Sequence, residues 1–362
     1  SDVCSSDLEH PNEKVQAIVA ARLGIKSTLA ETRAAALIGV SERGRLPIML
    51  NYYGAHTGRF SGGDKMNLQN LPRGGALRKS LCAPEGKMIV ACDSAQIEAR
   101  IVAYVAGQND LVQAFREDRD VYSEFASEVY GRKVTRDDKT ERFVGKTCIL
   151  GLGYGMGGNK LKTTLAIGSG GIKVEVSDPE ANNIVGIYRR KNSKIADLWT
   201  RCNAALNYIY NGQEFPIANH IPGLNTVKDG IILPNGMQIR YPLLHHTPNG
   251  GYSYCAKGQY VSALKKRILG EELTANNSTK VYGGKVTENI VQALARIVVA
   301  EQMMQIATKY KVVLQVHDEI VIETDNPDKA QKALERIMKT PPAWAAGLPL
   351  DIEVSVMGRY GK

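Results

Sequence analysis

Asp318 and Glu319 stand side by side in KVVLQVHDEIVIE, residues 311–323, between Val312-Val313-Leu314 and Ile320-Val321-Ile322. Short β-branched runs on either side of a two- or three-residue polar break predict a tight hairpin. Carboxylates at the tip of a buried hairpin are costly unless a cation meets them. A second carboxylate has a similar setting. Asp93 closes the apolar run MIVAC, residues 88–92, and a helical pattern with Ile97, Ile101 and Val105 on one face follows at once. Two strand-end aspartates that converge make a site for divalent cations, because hard Mg²⁺ prefers carboxylate oxygens and keeps phosphates among its other ligands. Surface turns tipped with solvated acids are the alternative.

Residues 139–152 carry the opposite charge. Arg142, Lys146, Leu150 and Tyr154 are spaced by four, so on a helix each lies ~6 Å above the last and is rotated by only ~40°. Two cations on one stripe suit an extended polyanion such as a triphosphate, with Tyr154 turned toward whatever the triphosphate is attached to. A solvated basic face is the competing reading, and the apolar run Cys148-Ile149-Leu150 weighs against it. Gly153 to Gly158 formally matches G-x-G-x-x-G, but it follows a helical pattern instead of a strand, which argues against a dinucleotide site.

The chain that must position these groups has 362 residues, 43% hydrophobic and 23% charged, with a formal charge of +9. That is a globular composition of two or three lobes with a leaning toward polyanionic partners. Six cysteines without a C-x-x-C pair argue against a zinc knuckle or disulfide framework and fit a reducing cytoplasm. No apolar run approaches the length needed to span a bilayer, so no membrane partner is expected. His245-His246 reads as surface, not as a metal pair. Residues 1–8, SDVCSSDL, translate TCA GAC GTG TGC TCT TCC GAT CT, which resembles a sequencing adapter; these residues are expected to be non-native, with the reading frame beginning in mid-gene. From residue 9 to about 49 the pattern is helical, with Gly24 as a stop and a basic-hydroxyl cluster at Lys26, Ser27, Thr28, Thr32 and Arg33. A polar, glycine-rich passage follows, carrying Arg59, Asn67, Gln69 and Asn70, planar side chains that clasp backbones or base edges. Beyond it lie a basic helix from Tyr188, a hairpin over 231–241 turning at Asn235-Gly236, a long helix over 285–310, a helix over 330–338 and a strand over 350–356.

Taken in order, DSAQIEAR (93–100), RFVGKTCILGLGYG (142–155) and QVHDE (315–319) resemble motifs A, B and C of the family A, DNA polymerase I-like, DNA polymerases. TGRFS (57–61), NLQNLP (67–72) and ENIVQ (288–292) match as well, and the flavour is similar to bacteriophage members. The resemblance covers the chain from about Lys26 onward. It implies an α+β, right-hand polymerase fold: an antiparallel palm sheet (52–115 and 285–362), helical fingers (116–284) and a remnant of the thumb (9–51). It implies that Asp93 and Asp318 bind two Mg²⁺ ions, that Glu319 supports the metal site from its edge, and that Arg142 and Lys146 clamp the incoming dNTP. Glu98 and Tyr154 would exclude a 2′-hydroxyl, with Gln96 supporting the new pair. Arg59 and Gln292 would check the minor groove of primer-template DNA, and His317 would contact the primer end, with Asn67, Gln69 and Lys26 adding DNA contacts.

The chain departs from the family pattern at Leu150, where Phe or Tyr is usual, at Tyr122, where many members carry a His reaching the triphosphate, and at Ser94-Ala95. A monomer with little thumb is expected, with poor processivity or no activity from these 362 residues alone; the identity of any processivity factor stays open. A single-subunit RNA polymerase shares the two aspartates and the R-x-x-x-K helix, whereas Glu98 and the NLQNLP loop favour DNA. A catalytically silent nucleic-acid-binding relic would have no use for the paired carboxylates.

Overall fold

The central sheet follows from alternation. In the computed structural model, which describes residues 13, 14, 28–63, 67–72, 74–256, 259–270 and 277–361, four strands pair antiparallel. They are β1 (Met88–Ser94), β2 (Lys311–Val316), β3 (Glu319–Thr324) and β4 (Ile352–Met357), in the order β2-β3-β1-β4. Successive side chains on a strand point to opposite faces, and both faces of this sheet are covered. Val90, Cys92, Ile320 and Ile322 join the main core, while Ile89, Ala91, Leu314 and Val321 join a smaller one with Leu68, Leu71 and Tyr360. Two-sided burial explains why these strands read as continuous apolar runs.

Eight helices matter for the site. They are α1 (Leu29–Ser41), α2 (Ile97–Ala106), α3 (Val121–Tyr130), α4 (Lys139–Gly151), α5 (Asp178–Lys191), α6 (Ser193–Asn211), α7 (Gly283–Ala307) and α8 (Pro327–Met338). A capping box between Ser177 and Glu180 starts α5, and Arg189, Arg190 and Lys191 fill its last turn, a charge order that suits the helix dipole. Helices α3 and α4 pack so closely that a Cβ on Gly145 would lie 2.0 Å from the Tyr122 carbonyl oxygen. Only glycine permits that approach.

The central helix corrects one expectation. By length and composition α7 could cross a membrane, contrary to the reading that no run comes near that length. In the structure it is the core helix against which α2, α6 and α8 pack. Its Arg296 is buried, donates to the Gly58 carbonyl at 3.0 Å and sits 5.3 Å from the rings of Tyr52 and Phe60. The expected hairpin over 231–241 forms from Gly230–Ile232 and Gln238–Arg240. Lys26, residues 1–8 and the Gly24 stop lie outside the described residues.

Candidate active site

Motif spacing put Asp93 and Asp318 at strand ends, and the sheet brings those ends together. β2 and β3 are joined by His317 and Asp318 alone, with Val316 opposite Glu319. A two-residue connection favours positive φ at its first position, and His317 adopts φ +54° without being glycine. The Asp318 carbonyl accepts from Ser94 N at 3.1 Å, which ties the hairpin to the end of β1. On the other side of β1, Gln96 also holds φ +54° as it opens α2. Two non-glycine residues in the left-handed region, each costing about 1 kcal/mol or more, flank the two aspartates.

A cavity of about 520 Å³ opens at this corner. Of the expected site residues, Asp93, Asp318, Glu319, His317, Gln96, Glu98, Gln69, Leu150 and Tyr154 line it. Burial first, and then the charges of Glu98 and Asp93, raise the Asp318 carboxyl from its ordinary 3.8 to about 6, against the opposing pull of Arg59. A desolvated carboxylate among like charges calls for a cation. Among the described residues, no three His, Cys, Asp or Glu side chains form a ready-made metal cage. Asp93 and Asp318 nevertheless fit a hard cation that completes its shell with water and phosphate oxygens.

Glu98 and Tyr154 form the floor. Tyr154 OH donates to Glu98 Oε2 at 2.7 Å, and burial, followed by the Glu98 charge, pushes the phenol well above its usual range. Tyr154 is placed from behind: Trp199 Nε1 on α6 donates to the Gly153 carbonyl at 2.7 Å. The start of α7 presses so close that a Cβ on Gly284 would lie 2.3 Å from the Tyr154 carbonyl oxygen. Arg59 donates to Glu98 Oε1 and lies 3.6 Å from Asp318 Oδ1. In this state it spans the two carboxylates, and its expected minor-groove role requires it to leave them.

The cationic stripe is arranged differently from the simple clamp. Lys146 is exposed. Arg142 is gripped by Asp120, which accepts from its Nε at 2.7 Å and its Nη2 at 3.1 Å. Burial pushes the Asp120 carboxyl up, but the hydrogen bonds from Arg142 and Ser123 outweigh it and hold that carboxyl below its ordinary value. Tyr122 is buried beneath this pair, with the Arg142 guanidinium 5.3 Å from its ring and its hydroxyl in a hydrogen bond with the Gln96 side chain. It therefore serves as a platform for Arg142.

Three expected DNA contacts lie outside the cavity lining. Asn67 caps a short turn, accepting from Gln69 N at 3.0 Å. Gln292 donates to Glu288 at 3.3 Å. Arg59, as described, bridges two carboxylates. Gln69 lines the cavity but also braces the hairpin, donating to the Gln315 carbonyl at 3.3 Å.

Sequence reasoning missed Asp120, Arg78 and Tyr360. Asp120 carried a signal, an acidic residue just before an apolar helix. Arg78 donates to Glu319 Oε2 at 3.1 Å, and the Tyr360 hydroxyl donates to the same oxygen. No local pattern marks either partner.

Comparison with known proteins identifies the family and the fold. Residues 6–208 match the model of DNA polymerase family A. The DNA polymerase of Bacillus phage SP02 is 28% identical over 357 residues, covering 87% of this chain and 52% of that protein. The thermostable DNA polymerase I of Thermus aquaticus is 38% identical over 128 residues, 34% of this chain and 15% of that protein. The chain thus spans about half the length of the phage relative and less of the bacterial one. The POL domain of Pol1 from M. smegmatis, solved with DNA primer-template and dNTP, superposes with a TM-score of 0.62 over 96% of this chain and 52% of that one, at 19% identity. The fold is therefore the α+β right-hand polymerase fold, and with more than half of its length matched by the family model, the chain belongs to DNA polymerase family A.

Proposed function

We propose that this chain carries the polymerising site of a DNA-directed DNA polymerase, adding deoxynucleotides to a primer 3′ end on a template strand with release of pyrophosphate, in DNA replication or repair. The observation that carries the proposal is the convergence of Asp93 and Asp318 on a cavity floored by the Glu98–Tyr154 pair. Asp93 and Asp318 would hold two Mg²⁺ ions, which when bound activate the primer hydroxyl and neutralise charge on the transferring phosphoryl group.

The protein's own groups do the positioning. Tyr154 and Glu98, locked to each other, present a wall where the incoming sugar sits and leave no room for a 2′-hydroxyl. Arg142, moving from Asp120 to the triphosphate, exchanges one bidentate anion partner for another. Lys146, exposed one turn further on, adds a second cation. Arg59 leaves Glu98 and Asp318 for the duplex as cations take over the carboxylates. The sheet with its hairpin serves as palm and the α3–α6 region as fingers. The chain works as a monomer in the cytoplasm, the bacterial host's if the gene is viral.

Primer extension with dNTPs and with rNTPs tests the reading and separates it from an RNA polymerase. Incorporation of dNTPs that disappears in Asp93→Ala and in Asp318→Ala is the expected result. Incorporation that survives both substitutions overturns the site assignment, and preference for rNTPs overturns the substrate.

A further inference from the structure

Glu319 lies directly opposite Asp93 in the β3–β1 ladder. Residues so paired point to the same face, with Cβ atoms about 5 Å apart. Left to itself, this carboxylate would join Asp93 as a third donor beside Asp318. It does not stand by itself. Its Oε2 accepts from Arg78 Nη2 at 3.1 Å and from the Tyr360 hydroxyl. Arg78 also donates to that hydroxyl at 2.5 Å and covers the Tyr360 ring at 4.3 Å.

Glu319, Arg78 and Tyr360 are 6%, 7% and 2% exposed, so the cluster is largely buried, with Glu319 and Arg78 reaching the edge of the cavity. Breaking a buried ion pair leaves a charge uncompensated, which is strongly unfavourable. Tyr360 is anchored in turn: its N–H donates to the Leu81 carbonyl at 2.7 Å, and Ala83 N donates to Gly358 at 2.9 Å. The segment that follows β4 thereby carries a hydroxyl back to the hairpin.

We propose that Tyr360 and Arg78 are positioning residues that hold the Glu319 carboxylate out of the Asp93–Asp318 donor set, keeping the cation site incomplete until phosphate oxygens arrive. The inference rests on the polymerase reading for the identity of the cation and departs from the expectation that Glu319 supports the metal. Its logic is one of ligand count and charge. Divalent-ion affinity rises with the number of carboxylates, and a site with three would hold its cation without substrate. With Arg78 and the Tyr360 hydroxyl together holding Glu319 aside, two carboxylates remain, and the nucleotide's own oxygens complete the shell.

Mn²⁺ binding to the free 362-residue chain, followed by electron paramagnetic resonance without DNA or nucleotide, tests this. Tyr360→Phe keeps the ring under Arg78 and removes the hydroxyl. It is expected to tighten Mn²⁺ binding roughly tenfold, and Tyr360→Phe combined with Glu319→Gln is expected to return to the parent affinity. A merely structural role for Tyr360 produces no tightening. Glu319→Gln alone is expected to stay within about twofold of the parent, and it carries the test by itself should Tyr360→Phe not fold. Unchanged or weaker binding in folded Tyr360→Phe overturns the proposal, as does several-fold weaker binding in Glu319→Gln. If the Mn²⁺ pattern holds while the chain extends primers with rNTPs in preference to dNTPs, the DNA-polymerase reading falls and the clamp stands.

Discussion

Asp318 is held at a cost to the folded protein, and replacing it should show how large that cost is. Its carboxyl rises from 3.8 to about 6, which at about 1.4 kcal/mol per tenfold change corresponds to about 3 kcal/mol. Because 23% of the side chain stays open to water, solvent screening trims this to about 2 kcal/mol. The sign follows from proton counting. Between pH 3.8 and 6 the folded chain binds more protons at this group than the unfolded chain, so stability falls as pH rises through that window and is level above it. Asp318→Asn removes the charge and keeps the shape. In urea titrations without divalent metal, the variant should match the parent near pH 4 and exceed it by about 2 kcal/mol at pH 7.5. Added Mg²⁺ should narrow the gap, because it binds the parent preferentially. A variant no more stable than the parent at pH 7.5, or a difference that ignores pH, would refute the reasoning.

Further outcomes can be checked at separate points of the site. Gly145→Ala forces α3 and α4 apart, since the added Cβ meets the Tyr122 carbonyl at 2.0 Å; a loss of about 1–3 kcal/mol is expected by denaturant unfolding. Asp120→Asn weakens the bidentate hold on Arg142, and a loss of about 1 kcal/mol should lower Tm by about 2–4 °C in a thermal scan. An unshifted Tm would mean the pair contributes nothing in solution. Glu98→Ala unlocks Tyr154 and opens the floor of the cavity. The kcat/KM preference for dNTPs over rNTPs should fall by about 10- to 200-fold, and an intact preference would exclude Glu98 from sugar selection. Leu150→Tyr places a ring and a hydroxyl on the cavity wall, and dideoxynucleotide incorporation should change. Unaltered discrimination would show that the leucine is neutral there.

Much of the site was legible because its chemistry is tied to regular elements. Apolar runs located β1, β2 and β3, and the acids ending or joining those runs had to emerge at one end of a sheet. Four-residue spacing put Arg142 and Lys146 on one face of α4. The strained backbones of Gln96 and His317 were not legible, since propensity would assign a positive φ to glycine, and only the surrounding packing holds other residues there. The span-like composition of α7 shows the limit from the other side. A core helix and a membrane helix satisfy the same pattern, and the elements packed against it decide between them.

The pair Asp318-Glu319 divides the two kinds of information most clearly. From the sequence alone came the hairpin, the two adjacent carboxylates and the need for a cation nearby, because β-branched periodicity and the cost of buried charge are local facts. On the proposal above, which carboxylate remains available for a metal depends on tertiary contacts. Both line the cavity, but Asp318 occupies the turn while Glu319 opens a strand and is held by Arg78 and Tyr360. Those partners lie 241 and 41 residues away along the chain. Hydrogen bonds and ion pairs depend on distance in space, so no reading of the local pattern could have supplied them.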